Sequence, residues 1–174
     1  MNQRIKLTKR LLQESLLGLL DSRSVEEVSI VELCRDAGIN RSTFYAHYSC
    51  IRDVVRDISG GLTDRIREIC RREQEDRRAC LEEICRCLYE NRDTVLKLMR
   101  SQTEEELEET FAALDGDFYL FRSLGTEPRD DKLVLAFVNH GAYNLVKTWL
   151  AEEEDRTPKD TANLIYDRLF KKLL

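Results

Sequence analysis

A short run of hydrogen-bond donors is the part of the chain best suited to chemistry. Arg41, Ser42 and Thr43 are adjacent, and Tyr45 and His47 follow them closely. No acidic residue interrupts this stretch, so nothing in it would repel a phosphate. An arginine can donate two hydrogen bonds to guanine O6 and N7, and hydroxyl groups can bond base edges or phosphates. These residue types suit recognition of a nucleic-acid duplex, although each of them alone also suits the surface of an ordinary helix.

A helix-turn-helix is the local structure that the flanking residues predict. Ser29 opens a capping box, which predicts a helix over 30–36. Gly38 can adopt the left-handed conformation that ends this helix, and Asn40 can cap a second helix over 41–47. Six apolar side chains form the predicted core of this unit: Val28, Leu33, Ala37, Ile39, Phe44 and Tyr48. The second helix of such a motif enters the major groove, which would place the donors against the bases.

The rest of the sequence is typical of helices. Its 174 residues are 42% apolar and 35% charged, with only 7 Gly and 2 Pro, and this composition favours helices over β-rich folds. Hydrophobic spacing predicts further helices near 5–21, from 50 to the low seventies, and near 76–90, 91–99, 103–123, 128–151 and 158–173. We predict an all-α fold, with a three-helix helix-turn-helix DNA-binding domain over residues 1–50 and a helical domain over residues 51–174.

Two adjacent glycines, Gly60 and Gly61, lie inside the predicted fourth helix. Interior glycines cost a helix roughly 1 kcal/mol each relative to alanine. The pair therefore indicates a hinge in this helix, a close helix crossing, or a weak point that the fold tolerates.

The last two predicted helices are amphipathic and adjoin through a short polar loop. Two such hairpins from two subunits could bury their apolar faces in a four-helix bundle, or the faces could pack inside a single subunit. We expect the first arrangement, with a dimer interface formed by apolar side chains: Val138, Leu145, Trp149, Ala162, Ile165 and Leu169.

Charge is distributed unevenly along the chain. The net charge is −5, but residues 1–58 carry +1 and the remainder carries −6. The first ten residues hold Arg4, Lys6, Lys9 and Arg10 and no acid. A basic arm of this kind can bind the phosphate backbone even in an acidic protein, because phosphate binding depends on the local electrostatic field at the contact more than on the net charge. The arm could also be a tail without a partner.

The stretch from Val28 to Tyr48 resembles the DNA-binding segment of TetR-family bacterial transcriptional regulators. It has the capped helix, the Ala-Gly-hydrophobic turn, the short helix with Ser and Thr, and the Tyr-x-x-aromatic end of that segment. Residues 136–158, with Ala-Phe-Val, Lys-x-Trp-Leu and Thr-Pro, resemble the C-terminal domain of a Firmicutes-type subgroup. The family usually has Lys where this chain has Ile51, and Arg52 beside it is a candidate to take over that phosphate contact.

The resemblance implies a regulator, with repression expected, that binds a pseudo-palindromic operator as a homodimer in the cytoplasm, at the nucleoid. It implies that the C-terminal domain dimerises and binds a small-molecule effector. The DNA-contacting candidates are polar and basic residues of the N-terminal domain: Lys6, Ser29, Arg41, Ser42, Thr43, Tyr45, His47 and Arg52. Candidates for polar groups in the effector pocket are Tyr89, His140 and Tyr143, which also suit ordinary helix packing.

Other classes of protein fit less well. With two His and none of the common catalytic or nucleotide-binding motifs, the sequence does not suggest an enzyme or a cofactor. The longest apolar run, Leu133–Val138, is six residues and cannot span a membrane. Two alternatives keep the fold: an adaptor or co-activator that acts through a protein partner, and a cysteine-based redox or metal sensor.

The sensor alternative depends on six cysteines that we expect to be reduced in a cytosolic protein: Cys34, Cys50, Cys70, Cys80, Cys85 and Cys87. Three of them, Cys80, Cys85 and Cys87, are close in sequence. Their spacing is not the paired C-x2-C of zinc sites, so no metal is predicted.

Overall fold

The computed structural model describes residues 3–73, 76–103, 106, 110, 132–152 and 156–170, and every regular element in these ranges is helical. The elements are α1 (Gln3–Leu19), a 3-10 turn (Val25–Glu27), α2 (Ile30–Asp36), α3 (Arg41–Tyr45), α4 (Ile51–Arg72), α5 (Arg77–Glu90), α6 (Arg92–Ser101), α7 (Lys132–Ala151), α8 (Pro158–Ile165) and a π-helical turn (Tyr166–Phe170). The prediction of an all-α fold is confirmed. Most of the helix predicted over 103–123 lies outside the described residues.

The chain divides into two compact units. The first comprises Met1–Gly61 with Lys97–Ser101, and the second comprises Leu62–Leu96 with Gln102–Leu174. The division falls inside α4, directly after the second of its two adjacent glycines.

The first unit is built around the helix-turn-helix. In its core, α2 packs against both α1 and α3. Leu12, Leu16, Leu33 and Phe44 are completely shielded from solvent, because the apolar positions of these helices all face one another. At roughly 25 cal/mol per Å² of apolar surface, burial of these side chains is the main force holding three such short helices together.

Local backbone chemistry sets where these helices begin and end. The Ser29 hydroxyl accepts the backbone N–H of Glu32 at 3.2 Å and so caps α2. Gly38 ends the helix with φ 65°, a left-handed conformation that glycine adopts without the Cβ penalty of other residues. Asn40 occupies the N-cap position of α3, but its side chain makes no capping hydrogen bond. The helix expected over 41–47 ends at Tyr45, because the N–H of His47 folds back onto the Phe44 carbonyl at 2.9 Å.

Two glycines inside α4 do not interrupt it. Gly60 and Gly61 are exposed, and α4 runs continuously from Ile51 to Arg72. A Cβ added at either glycine would meet no described heavy atom within 4 Å. A close crossing by a described helix is therefore not what places glycine at these two positions.

In the second unit, α8 packs along α5. Thr157 and Asp160 form a reciprocal capping box at the start of α8, with Pro158 in the first turn. The Arg78 guanidinium joins α5 to the π-helical turn that follows α8: it donates to Asp167 at 2.7 Å and lies 4.5 Å from the centre of the Tyr166 ring.

The residues predicted for a dimer interface differ in their surroundings. Trp149 is 9% exposed and Ala162 is 1% exposed within the single chain, whereas Leu145 and Ile165 are half-buried. The side chains of Val138 and Leu169 lie outside the described part of the structure. Two of the six side chains are thus already covered by the chain that carries them.

Among the helices of the described residues, none is both long enough and apolar enough to cross a bilayer.

Candidate nucleic-acid interface

The short helix α3 has one buried side and one exposed side. Phe44 is fully buried and packs edge-on against the Tyr45 ring, with 5.5 Å between ring centres. Arg41, Ser42 and Tyr45 are exposed, and Tyr45 keeps 52% of its surface in solvent. A polar face held rigidly by a buried aromatic anchor is the arrangement that a recognition helix requires.

A polar hub fixes the segment just after α3. The Asp57 carboxylate, on α4, accepts hydrogen bonds from the Tyr48 hydroxyl at 2.7 Å, Gln13 at 2.8 Å and Lys9 at 3.1 Å. These donors come from α1 and from the end of the helix-turn-helix, so one carboxylate joins three parts of the unit. Lys9 also lies 5.2 Å from the centre of the Tyr48 ring.

The ionisation of the hub follows from these contacts. Burial alone would raise the pKa of Asp57, but the hydrogen bonds from Tyr48, Lys9 and Gln13 outweigh burial and hold that pKa below its ordinary value. Burial, and then the hydrogen bond to Asp57, raises the pKa of the Tyr48 hydroxyl. Near neutral pH the hub therefore contains an ionised Asp57 and a protonated Tyr48.

The basic residues of the candidate interface differ in whether they already have a partner. Lys9 is paired with Asp57, and Arg10 is paired with Glu14 at 2.7 Å. Arg41 and Lys6 are exposed, and neither forms an ion pair with any residue that the structure describes. A phosphate or base contact made by Arg41 or Lys6 would not have to displace an existing partner.

Arg52, in contrast, is engaged within the first unit. Its guanidinium donates to the Glu26 carboxylate and to the Ser101 carbonyl oxygen, the latter at 3.4 Å. Both partners belong to the same unit as Arg52. A phosphate contact by this side chain would have to compete with these two acceptors.

The other predicted contact residues lie around α3. Thr43 and His47 are half-buried, and Ser29 is exposed at the start of α2. Because the Ser29 oxygen accepts the Glu32 amide, its hydroxyl hydrogen remains able to donate. Tyr45 and His47 also line an open depression of about 520 Å³ at the end of α3.

Two acidic residues, Asp53 and Asp57, also line this depression. Asp53 lines it, and its carboxylate accepts the backbone N–H groups of Ser49 at 2.7 Å and Cys50 at 3.1 Å. These hydrogen bonds, led by the one from Ser49, hold the pKa of Asp53 below its ordinary value despite some burial. The start of α4 is therefore capped by a carboxylate of its own first turn.

The three effector-pocket candidates lie in the second unit. Tyr89 is 49% exposed and stacks on Trp149, with 5.9 Å between ring centres. Tyr143 is half-buried beneath Lys147, and burial raises the pKa of its hydroxyl. His140 is exposed on α7. The Tyr89 ring therefore packs against another aromatic ring of the same unit.

Two polar features of the first unit have no signal in the sequence. Asp57 and Gln13 are 44 residues apart, yet their side chains are hydrogen-bonded. Lys97, only 7% exposed, forms an ion pair with Asp21 at 2.6 Å across an even longer stretch of chain. No local pattern links such pairs, because only the folded chain brings them together.

Metal coordination finds no support among the described residues, which contain no group of three or more His, Cys, Asp or Glu arranged to hold an ion.

Comparison with known proteins now adds independent findings. Residues 75–171 match the family model for the C-terminal region of TetR-type transcriptional regulators. The crystal structure of a TetR transcriptional regulator from Streptococcus agalactiae 2603V is similar in fold, with a TM-score of 0.69 and 21% identity over 91% of each chain. A comparison with curated proteins finds no significant match.

Proposed function

This chain belongs to the TetR family of transcriptional regulators, and from that premise we propose that it is a sequence-specific repressor that binds a pseudo-palindromic operator as a homodimer and is released by a small-molecule effector. It acts by binding rather than by catalysis, in the cytoplasm and at the nucleoid. The domain over residues 1–50 binds DNA, and the domain over residues 51–174 regulates and dimerises.

One observation carries the DNA-binding proposal: Arg41 is exposed at the first position of α3, forms no ion pair with any described residue, and is held in place by the buried Phe44 of the same helix. A preorganised guanidinium loses little freedom on binding, and its two parallel donors match guanine O6 and N7. Ser42 and Thr43, next to it, supply further base or phosphate contacts. Lys6, Ser29, Tyr45 and His47 hold the backbone and set the register.

A dimer gives this small recognition surface enough affinity and specificity. One copy of α3 contacts only a few base pairs, whereas a two-fold dimer reads two half-sites about one helical turn apart. We place the interface on α7 and α8, with Leu145 and Ile165 as half-buried contributors. Leu164, 39% exposed on α8, is an additional apolar side chain on this surface.

The effector acts through the second unit. An aromatic or apolar compound that stacks on Tyr89, with Tyr143 or His140 as polar partners, fits the residue types there. Binding that favours a DNA-incompetent arrangement of the dimer lowers operator affinity by the coupling free energy, typically about 1–3 kcal/mol.

Selection of bound duplexes from a random pool, repeated at two salt concentrations, tests the proposal. We expect one pseudo-palindrome to be enriched by the purified protein alone, and its preference over random DNA to persist at the higher salt. Enrichment of no sequence, with binding restored only by a second protein, would instead identify an adaptor.

Two matched arginine variants then test the role of α3. Arg41→Ala should weaken binding to the selected site by about 1–3 kcal/mol, or roughly 5- to 150-fold, and relax the base preference at one position of each half-site. Arg86→Ala, an exposed arginine on α5 that pairs with Glu82 and Glu83, should change neither. Equal effects of the two substitutions would remove α3 from the interface.

A further inference from the structure

Cys70 and Cys80 lie near the end of α4 and the start of α5, and their side chains are in contact. Cys70 lies two residues before the end of α4, and Cys80 is the fourth residue of α5. Both are free thiols, and the Cys70 thiol donates a hydrogen bond to the Cys80 sulfur. Two hydrogen-bonded thiols on consecutive helices are candidates for a disulfide, which needs the two cysteines to be close in space.

The two members of this pair differ in their access to solvent. Cys70 is buried, with 7% of its surface exposed, whereas Cys80 is half-buried. A small oxidant therefore reaches Cys80 first. Cys70 is placed behind it, in contact with its sulfur, which is the position of a resolving thiol.

The surroundings also distinguish Cys80 from the other cysteines. The hydrogen bond from Cys70 holds the pKa of Cys80 below its ordinary value, although burial, Glu73 and Asp76 oppose this. Burial raises the pKa of Cys85 to about 12, and it also raises the pKa of Cys87. The thiolate is the reactive form of cysteine, so the surroundings favour that form at Cys80 and disfavour it at Cys85 and Cys87.

We propose that Cys80 and Cys70 form a reversible disulfide when the protein meets a hydroperoxide, with Cys80 as the attacking thiol and Cys70 as the resolving thiol. This modification site is independent of the operator binding proposed above. It also replaces the grouping of Cys80 with Cys85 and Cys87 that the sequence suggests.

The chemistry proceeds in two steps. The Cys80 thiolate attacks one peroxide oxygen; the S–O bond forms, the O–O bond breaks, and the departing hydroxide takes up a proton to leave as water when hydrogen peroxide is the oxidant. The Cys70 sulfur then attacks the Cys80 sulfenic acid; the S–S bond forms, the S–O bond breaks, and the released hydroxide leaves as water with the Cys70 proton. Two thiols lose two electrons, the peroxide is reduced, and a small dithiol reverses the reaction by exchange.

A disulfide between these two thiols would add a covalent link to the polar contacts near the end of α4 and the start of α5. Arg72, at the end of α4, lies 3.7 Å from Glu83 of α5, and both side chains are partly exposed. The Asp76 carboxylate caps α5 by accepting the Ala79 amide at 2.9 Å. The disulfide would hold the ends of α4 and α5 together when such contacts open.

Peptide mapping of the full-length protein tests the site. The reduced protein is treated with hydrogen peroxide, remaining thiols are alkylated, and the digest is analysed by mass spectrometry with and without dithiothreitol. We expect a cross-linked species that joins the Cys70 and Cys80 peptides, lacks two hydrogen atoms, and disappears with dithiothreitol. Both thiols remaining open to alkylation, or Cys80 linked to a different cysteine, would overturn the proposal.

Serine variants separate the two roles and need no assumption about DNA. Cys80→Ser should abolish the cross-link and leave Cys70 reduced, whereas Cys70→Ser should leave a sulfenic acid at Cys80 that dimedone traps. Cys50→Ser, at an exposed cysteine outside the pair, is the matched control and should form the cross-link at the wild-type rate. Oxidation should raise the midpoint of thermal unfolding of the wild-type and Cys50→Ser proteins but not of Cys70→Ser. Cross-linking that is lost in Cys50→Ser and kept in Cys80→Ser would refute the assignment.

Discussion

The helix-turn-helix and the α7–α8 region illustrate two different relations between sequence and structure. In the first, Phe44 is buried and its neighbour Tyr45 is exposed, so adjacent residues divide packing and recognition between them. In the second, Trp149 and Ala162, chosen for their place on amphipathic faces, are covered by the chain's own helices. A motif with fixed spacing indicates which side of a helix is free, whereas an apolar stripe does not indicate what covers it.

The same contrast holds for the polar residues. Ser29, Gly38 and Thr157 act within a few residues of their own positions, at the ends of α2 and α8. Asp57 acts between elements, by gathering Lys9, Gln13 and Tyr48. Substitutions at residues that act locally and at residues that join elements, in both units, therefore test whether packing and recognition depend on different side chains.

The largest effect should come from the two neighbours on α3. Phe44→Ala removes a fully buried ring and should lower the free energy of unfolding by about 3–5 kcal/mol, measured by chemical denaturation. Tyr45→Ala should change stability by less than about 1 kcal/mol and weaken binding to the selected duplex. If Tyr45→Ala destabilised the protein as much as Phe44→Ala, the division between packing and recognition would fail.

The glycine pair in α4 tests the point at which the two units meet along the chain. Replacing Gly60 and Gly61 together with alanine should raise the free energy of unfolding by about 2 kcal/mol, because both Cβ positions are open and alanine favours helix. Gly38→Ala is the control and should destabilise by about 1–2 kcal/mol, because φ is 65° there. Unchanged operator affinity and effector response in the double variant would exclude a hinge at the pair.

The Asp57 hub should show itself in the dependence of stability on pH. Asp57→Asn should cost about 1–2 kcal/mol near pH 7, an amount reduced by the partial exposure of the carboxylate. Folding lowers the pKa of Asp57. The ionised carboxylate therefore makes its full contribution to the free energy of unfolding above the ordinary pKa of about 3.9, which Asp57 has in the unfolded chain. That contribution is lost as the pH falls through the lower pKa that Asp57 has in the folded protein.

Urea unfolding at about pH 7 and about pH 3 measures this difference. The difference in free energy of unfolding between wild type and Asp57→Asn should be smaller at the lower pH. Asp64→Asn, on the same helix with an exposed carboxylate that pairs with Arg67, should cost little at either pH. If the difference in free energy of unfolding between wild type and Asp57→Asn did not change with pH, the charge of Asp57 would not be what stabilises its hydrogen-bonded contacts.

The smallest effects should come from the two helix caps, which are alike in chemistry but lie in different units. Ser29→Ala and Thr157→Ala each remove one side-chain acceptor for a backbone N–H and should cost about 1 kcal/mol in denaturant titrations. Only Ser29→Ala should also weaken binding to the selected duplex. Loss of DNA affinity in both variants would mean that Ser29 acts through stability alone.

Much of the fold could be predicted from the sequence alone, because the residues that begin and end its helices act on backbone groups only a few positions away. The bounds of α2 follow from Ser29 and Gly38, which act on their own backbone or that of a near neighbour. Asn40 shows the limit of such signals, because it takes the expected N-cap position without making the expected side-chain hydrogen bond. The exposure of Tyr45 was predictable because Phe44 has to be buried and adjacent residues point in different directions around a helix. Arg41 lies three positions before Phe44, so the helical repeat alone did not predict its exposure, which the structure shows.

The candidate site was harder to predict in full. Arg41 and Lys6 are accessible as the sequence suggests, but the partners of Arg52 come from a 3-10 turn and from the end of α6. Nothing near Arg52 in the sequence points to either acceptor. Whether a basic residue is available to DNA depends on every acid and carbonyl that folding brings within reach, and a single segment does not contain that information.

Periodicity, end-capping and the Val28–Tyr48 motif were enough to specify helices, a helix-turn-helix and its outward-facing donors, because these features involve residues a few positions apart. Folding alone decided that Asp57 joins α1 to α4, that Trp149 and Ala162 are covered within the chain, and that the partner of Cys80 is Cys70. Those outcomes depend on which helices pack together, and packing is settled by the burial of the whole set of apolar faces at once rather than by any one of them.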